Sequence, residues 1–227
     1  MASKLATQLL DLLFPPRCVF CRKLLPSGEV NICPSCRRHL PYTTDETAIQ
    51  YGNAFSRCVS PLFYQEDVKT SFHRFKFSGY SGYAVCYSAL MTEWIHRYFA
   101  DEFELITWVP LSKKRKKKRG YDQSMLLAKA IGSALSCPVV PLLQKREDRP
   151  PQSSLQGTKA RFANAAGAYV VSAPQYVSGK RILLVDDIVT TGATLSECAR
   201  QLRAEGAADV LCVTIARGAP LYTEKNV

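Results

Sequence analysis

Apolar residues fall along this chain in two alternating patterns. Short runs rich in aliphatic and β-branched residues occur at Leu105 to Pro110, Val139 to Leu143, Tyr169 to Val171, Arg181 to Val185 and Val210 to Ala216. The run after Arg181 is uncharged and continuous, as expected of a strand buried on both faces of a parallel sheet, so 181–185 is predicted to be a central strand. Between these runs apolar side chains recur at helical spacing. Tyr87, Leu90, Met91, Trp94, Ile95 and Tyr98 form one stripe and predict an amphipathic helix over 82–99. Leu195, Cys198, Ala199 and Leu202 form another and predict a helix over 194–205, with Gly206 as its stop. Residues 121–135 read as a third helix. Strands and helices in alternation imply an α/β fold, a parallel sheet with helices on both faces.

The junction between 181–185 and 194–205 carries the chemistry. It reads Leu183-Leu184-Val185-Asp186-Asp187-Ile188-Val189-Thr190-Thr191-Gly192-Ala193-Thr194. A hydroxyl-rich loop opening a helix aims backbone N–H groups and the positive end of the helix dipole at one point, and Gly192 permits close approach. A phosphate monoester suits that point. Asp186 and Asp187 stand at the carboxyl end of the strand, where open α/β sheets place ligands. There they can accept hydrogen bonds from vicinal ribose hydroxyls or help hold hydrated magnesium. The alternative is a turn that aspartates and threonines merely cap. Two adjacent aspartates and three threonines within five positions exceed what one cap requires. Neither the Walker loop nor the dinucleotide fingerprint is present, which weakens nucleoside triphosphate and NAD readings.

Composition and cysteines add an appendage. With 227 residues, 47% hydrophobic, 13 prolines and 12 glycines, the chain suits one α/β domain and a small extra module, and excludes disordered or low-complexity classes. Of nine cysteines, four stand as Cys18-x-x-Cys21 and Cys33-x-x-Cys36. Two such knuckles present four thiolates to one tetrahedral zinc ion. A redox pair or two disulfides are the alternatives, disfavoured by the context and by a reducing cytosol. His39 could replace one ligand but is not needed. The segment 15–40 is too short for a core of its own, so metal would supply its folding energy. We expect a helix and zinc-binding module over 1–45 and the α/β domain over 46–227. Cys58, Cys86, Cys137, Cys198 and Cys212 read as small core residues.

Leu5, Leu9, Leu12 and Leu13 predict a short N-terminal helix docked on the protein. No run approaches the roughly 18 apolar residues of a spanning helix, and no cleavage site follows, so no transmembrane segment and a cytoplasmic location are expected. Phe72, His73 and Phe75 lie among cations and read either as a base-stacking group or as a helix with two core phenylalanines. The polar stretch 145–164, with Pro150-Pro151, reads as a flap or binding loop. The tail 222–227 is expected to be disordered.

Charge narrows the partner. The net charge is +11, and all of the excess lies in two places. Lys113-Lys114-Arg115-Lys116-Lys117-Lys118-Arg119 is an unbroken basic run, and Arg17, Arg22, Lys23, Arg37 and Arg38 outweigh Glu29 around the cysteines. Such concentration suits an extended polyanion; a solvated loop or a localisation signal is the blander alternative. The run follows the 105–110 strand and is expected to be a loop on the same sheet edge as Asp186.

The 183–194 segment resembles the 5-phosphoribosyl 1-diphosphate (PRPP) motif of the type I phosphoribosyltransferases. That resemblance implies that Asp186 and Asp187 hold the ribose hydroxyls and support catalysis. It implies that Thr190, Thr191, Gly192, Ala193 and Thr194 cradle the 5-phosphate, that Arg115 and Arg119 meet the diphosphate, and that magnesium bridges ribose and diphosphate. A wider resemblance covers nearly the whole chain. Phe14-Pro15-Pro16-Arg17-Cys18, the paired cysteine knuckles, Phe75-Lys76-Phe77-Ser78-Gly79, Val109-Pro110, Arg115, Arg119-Gly120-Tyr121-Asp122-Gln123, the stretch Gln152 to Asn164 and the PRPP motif together resemble the ComF/ComFC family. That family is associated with natural competence, the uptake and processing of transforming single-stranded DNA. By this resemblance Lys113, Lys114, Lys116, Lys117 and Lys118 would meet DNA, and a competence helicase or other DNA-processing protein would be a partner. Departures are Arg149 where the family usually has threonine, Lys145 in place of an arginine, and Asp122 in place of asparagine. Three readings follow: a PRPP-binding protein that binds single-stranded DNA, an active phosphoribosyltransferase with an unidentified base or amine acceptor, or a zinc module serving as a docking surface.

Overall fold

The aliphatic run 181–185 lies between two parallel neighbours, as its composition requires. The computed structural model describes residues 15–26, 32–146 and 158–218. In chain order its elements are α1 (Pro34–His39), α2 (Asp45–Ala48), β1 (Ile49–Gln50), β2 (Cys58–Val59), β3 (Leu62–Phe63), α3 (Glu66–Phe77), α4 (Tyr83–Tyr98), β4 (Leu105–Trp108), α5 (Lys113–Arg119), α6 (Gln123–Leu135), β5 (Leu143–Lys145), α7 (Thr158–Ala165), β6 (Tyr169–Val171), β7 (Arg181–Val185), β8 (Ile188–Val189), α8 (Ala193–Ala204), β9 (Asp209–Val213) and β10 (Ala216–Arg217). The main sheet has the order β1-β2-β9-β7-β4, parallel except for β1. A second parallel sheet, β3-β10-β8, continues three of the same chain segments beyond a break.

Alternation along the central strands divides the core. Leu183, Val185, Leu211 and Val213 face α3, α4 and α6, whereas Ile182, Leu184, Val210 and Cys212 face α8 with its Leu195, Cys198, Ala199 and Leu202. Period two on two covered faces turns a continuous apolar run into a strand rather than a helix. Phe72 and Phe75 are fully buried in the first layer, so they are core residues and not a base-stacking pair. Cys58, Cys86, Cys198 and Cys212 are buried and Cys137 is half-buried.

The cysteine module packs on this layer. Cys18, Val19, Phe20, Leu25, Ile32, Cys33 and Leu40 share a hydrophobic cluster with Val68, Phe72 and Tyr87. Arg74 of α3 donates to the carbonyls of Val19 (2.8 Å) and Phe20 (2.7 Å), and Ser71 Oγ donates to Val19 (2.6 Å).

Two expectations are corrected. Residues 113–119 form a helix, not a loop. Ser112 Oγ accepts from the Arg115 amide at 3.3 Å as an N-cap, and Gly120, at φ +82°, closes the other end with its N–H on Lys116. Lys and Arg are good helix formers, and the caps set both ends despite like-charge repulsion. Residues 139–143 and 169–171 are not further strands of the parallel sheet. Val139 makes an isolated bridge to Ile106, and β5 pairs antiparallel with β6 as a separate ribbon. Pro138 lacks the N–H that would extend the Val139 bridge back along β4, and past the bridge the Leu142 N–H goes to the Val140 carbonyl and Thr107 Oγ1 instead of the β4 backbone.

Of the 145–164 stretch, Lys145 closes β5 and 158–164 belong to α7. Arg149, Pro150, Pro151 and Gln152 lie outside the described residues, as do the leucine-rich N-terminus, Glu29 and the 222–227 tail. No helix among the described residues is long and apolar enough to cross a membrane.

Candidate phosphosugar cleft and metal site

Asp186 and Asp187 occupy a break shared by three parallel strands. Val59, Val213 and Val185 are aligned across the main sheet, and Leu62, Ala216 and Ile188 across the second. Ser60-Pro61, Thr214-Ile215 and Asp186-Asp187 therefore form one interrupted row. The backbone stays anchored, because Asp186 N donates to Val213 O and Ile215 N to Asp187 O, both at 3.0 Å. Both carboxylates line a cleft of about 340 Å³.

Their environments differ. Asp186 Oδ1 accepts from Ser124 Oγ of α6 at 2.9 Å and from the Asp187 amide at 2.8 Å. Asp187 Oδ2 meets Lys76 Nζ of α3 at 2.7 Å. Burial, together with the Asp187 charge, pushes the Asp186 carboxyl up to about 7. The folded protein thus keeps a proton that the unfolded chain releases near its ordinary carboxylate pKa. Asp186 therefore makes stability fall as pH rises from that range to about 7. Replacing Asp186 by Asn should raise the thermal midpoint at around pH 8 and change it little near pH 4, measured by differential scanning calorimetry. Equal midpoints at both pH values would show that Asp186 carries no such penalty.

The hydroxyl loop forms a smaller recess of about 60 Å³, lined by Asp186 and residues 188–195. Gly192 caps α8 at φ +74°, a conformation that side-chain-bearing residues rarely adopt. Arg161 of α7 donates from Nη1 to Thr190 Oγ1 at 3.0 Å. The loop, the amino end of α8 and a cation thus converge beside the acid pair.

Helix α5 stands at another side of the cleft. Arg115 and Arg119, one turn apart, line it, while Lys113, Lys114, Lys116, Lys117 and Lys118 are exposed. Arg119 Nη1 donates to Gln123 Oε1 at 2.9 Å, and burial lowers its pKa. The structure therefore brings Arg115, Arg119, Asp186, Asp187, Thr190 and Thr194 together on one cleft. Asp122, the departure from asparagine, accepts from the Met125 amide at 3.2 Å and the Leu111 amide at 3.0 Å, tying the start of α6 to the segment between β4 and α5.

Sequence reasoning missed Lys76, Ser124, Lys145 and Tyr169 as cleft residues. Lys76 sits in the Phe75 to Gly79 segment, but its partner Asp187 is remote in sequence. Ser124 carries no local signal.

The four cysteines of the two knuckles converge: Cys18, Cys21, Cys33 and Cys36 have sulfurs within 4.8 Å of one another. Cys21 and Cys33 sulfurs are 3.6 Å apart, near the roughly 3.8 Å edge of a tetrahedron with zinc–sulfur bonds of about 2.3 Å. The Cys36 amide donates to Cys33 Sγ at 3.3 Å, and this bond lowers the Cys33 thiol to about 7. His39 Nδ1 instead lies 2.8 Å from the Ser35 carbonyl, and the set is complete without it. The donor chemistry fits a structural zinc ion.

Fold and site together define a phosphoribosyltransferase-type α/β protein with an N-terminal zinc ribbon. Residues 121–226 match the phosphoribosyl transferase domain, and residues 9–63 match the double zinc ribbon domain. The competence protein ComFC of Streptococcus pneumoniae is 33% identical over 196 residues, covering 84% of this chain and 82% of that protein. Competence protein ComFC of Bacillus subtilis is 27% identical over 208 residues, covering 88% and 83%. The DNA utilization protein YhgH of Escherichia coli K12 is 29% identical over 225 residues, covering 88% and 98%. The chain belongs to this ComFC/YhgH family.

Proposed function

We propose that the cleft binds magnesium-PRPP and that the outer face of α5 binds single-stranded DNA, in a cytoplasmic protein of natural transformation. The carrying observation is the division of α5: two arginines one turn apart line the cleft, and five lysines face solvent. The acid pair and hydroxyl loop meet at one point, as a phosphoribosyl group requires. Asp186 and Asp187 accept from the ribose hydroxyls, and Thr190 to Thr194 hold the 5-phosphate at the amino end of α8. Arg115 and Arg119 orient the diphosphate. Magnesium, held through the acid pair and its water, supplies charge neutralisation when bound. The zinc module adds positive charge through Arg17, Arg22, Lys23, Arg37 and Arg38 and suits a protein partner such as a competence helicase.

Replacing the five exposed lysines by glutamine should weaken binding to a single-stranded oligonucleotide about tenfold or more, and lower the magnitude of the log–log salt slope by roughly 2–3. Fluorescence anisotropy over a salt series measures both. An unchanged slope would remove α5 from the DNA interface.

The arginine lining also favours a second reading, a phosphoribosyltransferase. The C1–oxygen bond to diphosphate would break with the electron pair leaving on diphosphate, while an acceptor nitrogen bonds to C1 and loses a proton. Diphosphate release over a panel of bases and amines tests it. No release while PRPP binds would overturn turnover and leave the binding reading standing.

A further inference from the structure

Phe77, the last residue of α3, is 57% exposed, although Phe72 and Phe75 of the same helix are fully buried. Its exposure has a context that isolated surface hydrophobics lack. The His73 ring lies one turn earlier, with centroids 4.9 Å apart and planes at 44°. The Arg119 guanidinium sits 4.9 Å from the Phe77 centroid, bracing the ring with a cation. Lys69, one further turn back, is also exposed; its ammonium lies 3.9 Å from Glu66 in an exposed pair that an incoming phosphate can displace. Lys69, His73 and Phe77 are thus spaced four residues apart on one helix face, about 6 Å of axial rise per step. The line ends at Arg119, the final residue of the basic helix. An aromatic step between two sources of positive charge is what a flexible polyanion with exposed π-faces would recognise.

We propose that His73 and Phe77 are a nucleobase-stacking site, with Lys69 and α5 holding the flanking phosphates. The inference rests on the DNA-binding reading above and deepens it by naming where bases, as opposed to backbone, are held. Stacking on Phe77 needs an unpaired base, so the site selects single strands over duplex. Stacking on an aromatic side chain tolerates every base, so little sequence preference is expected. Phe77 is not among the residues lining the phosphosugar cleft, although Arg119 joins the two surfaces.

The test uses the full chain and a labelled thymidine oligonucleotide of about twenty nucleotides. Phe77→Ala should weaken binding roughly tenfold and His73→Ala roughly threefold, with the salt slope unchanged in both. Phe77→Leu, which keeps apolar surface but removes the ring, should resemble the alanine variant, and Phe77→Trp should retain affinity. Emission of the introduced tryptophan, taken as the difference from wild type, should be quenched by the thymidine strand and unaffected by an abasic strand of equal length. The abasic strand should bind wild type and Phe77→Ala alike. Wild-type affinity in both Phe77→Ala and Phe77→Leu, with unquenched tryptophan, would overturn the stacking site while leaving backbone binding by α5 intact. No binding of any single strand by the wild-type protein would overturn both.

Discussion

The double substitution of Asp186 and Asp187 by asparagine should lower affinity for magnesium-PRPP by at least about a hundredfold. Each carboxylate would accept a charge-assisted hydrogen bond from a ribose hydroxyl or from metal-bound water, and such a bond contributes about 1.5–3 kcal/mol. Two of them correspond to roughly two to four orders of magnitude in dissociation constant. Asparagine keeps the shape and the acceptor oxygen, so the row of strand breaks and its backbone bonds should survive. The thermal midpoint of the double variant, measured beside its affinity, separates lost binding from lost fold, because Asp187→Asn removes the partner of Lys76. Isothermal titration with magnesium and PRPP measures the effect. Affinity retained within tenfold would exclude the acid pair as the ribose site and move the search to the cations. Single variants should differ: Asp187→Asn also leaves the half-buried Lys76 without its 2.7 Å partner, so it should destabilise the protein where Asp186→Asn does not.

Zinc removal should have the largest effect on stability. Val19, Phe20, Leu25 and Ile32 are buried in the cluster shared with α3 and α4, and among the described residues 15–26 the backbone is tied to itself by the bonds Cys18 N to Lys23 O, Arg22 N to Cys18 O and Leu25 N to Pro16 O. A metal ion joining its two knuckles therefore supplies much of the ordering energy. Chelation, or Cys33→Ser, should lower the thermal midpoint by about 10 °C or more and expose that apolar surface to a hydrophobic dye. Elemental analysis should find zinc in the native protein, and one four-cysteine cluster is present among the described residues. Full stability in excess chelator, with zinc lost, would show that packing alone holds the module.

Much of this molecule was legible residue by residue. The 181–185 strand, the helix after Gly192 and the 82–99 stripe depend on local periodicity, and each appears within a residue or so of its expected bounds. The knuckle spacing carried the metal site because both halves of the donor set are short-range. What was not legible depends on which strands lie side by side. Lys76 and Asp187 meet only because α3 crosses the carboxyl edge of the sheet. The β5–β6 ribbon depends on a long-range antiparallel pairing of Leu143–Lys145 with Tyr169–Val171. The charge density of the basic run argues for a solvated loop, whereas Ser112 and Gly120 at its ends make it a helix. Which of Phe72, Phe75 and Phe77 faces water depends on what α3 packs against, and only Phe77 is exposed.

Helix α3 carries Ser71 and Arg74, which hold the cysteine module by its carbonyls, and Lys76, which holds Asp187, within two turns. Metal content and cleft geometry are therefore joined by one short rigid body. A protein sample partly stripped of zinc would be a mixture of cleft states, and its apparent inactivity toward any nucleotide would measure purification history. Zinc stoichiometry thus belongs beside protein concentration as the denominator of each binding or turnover measurement.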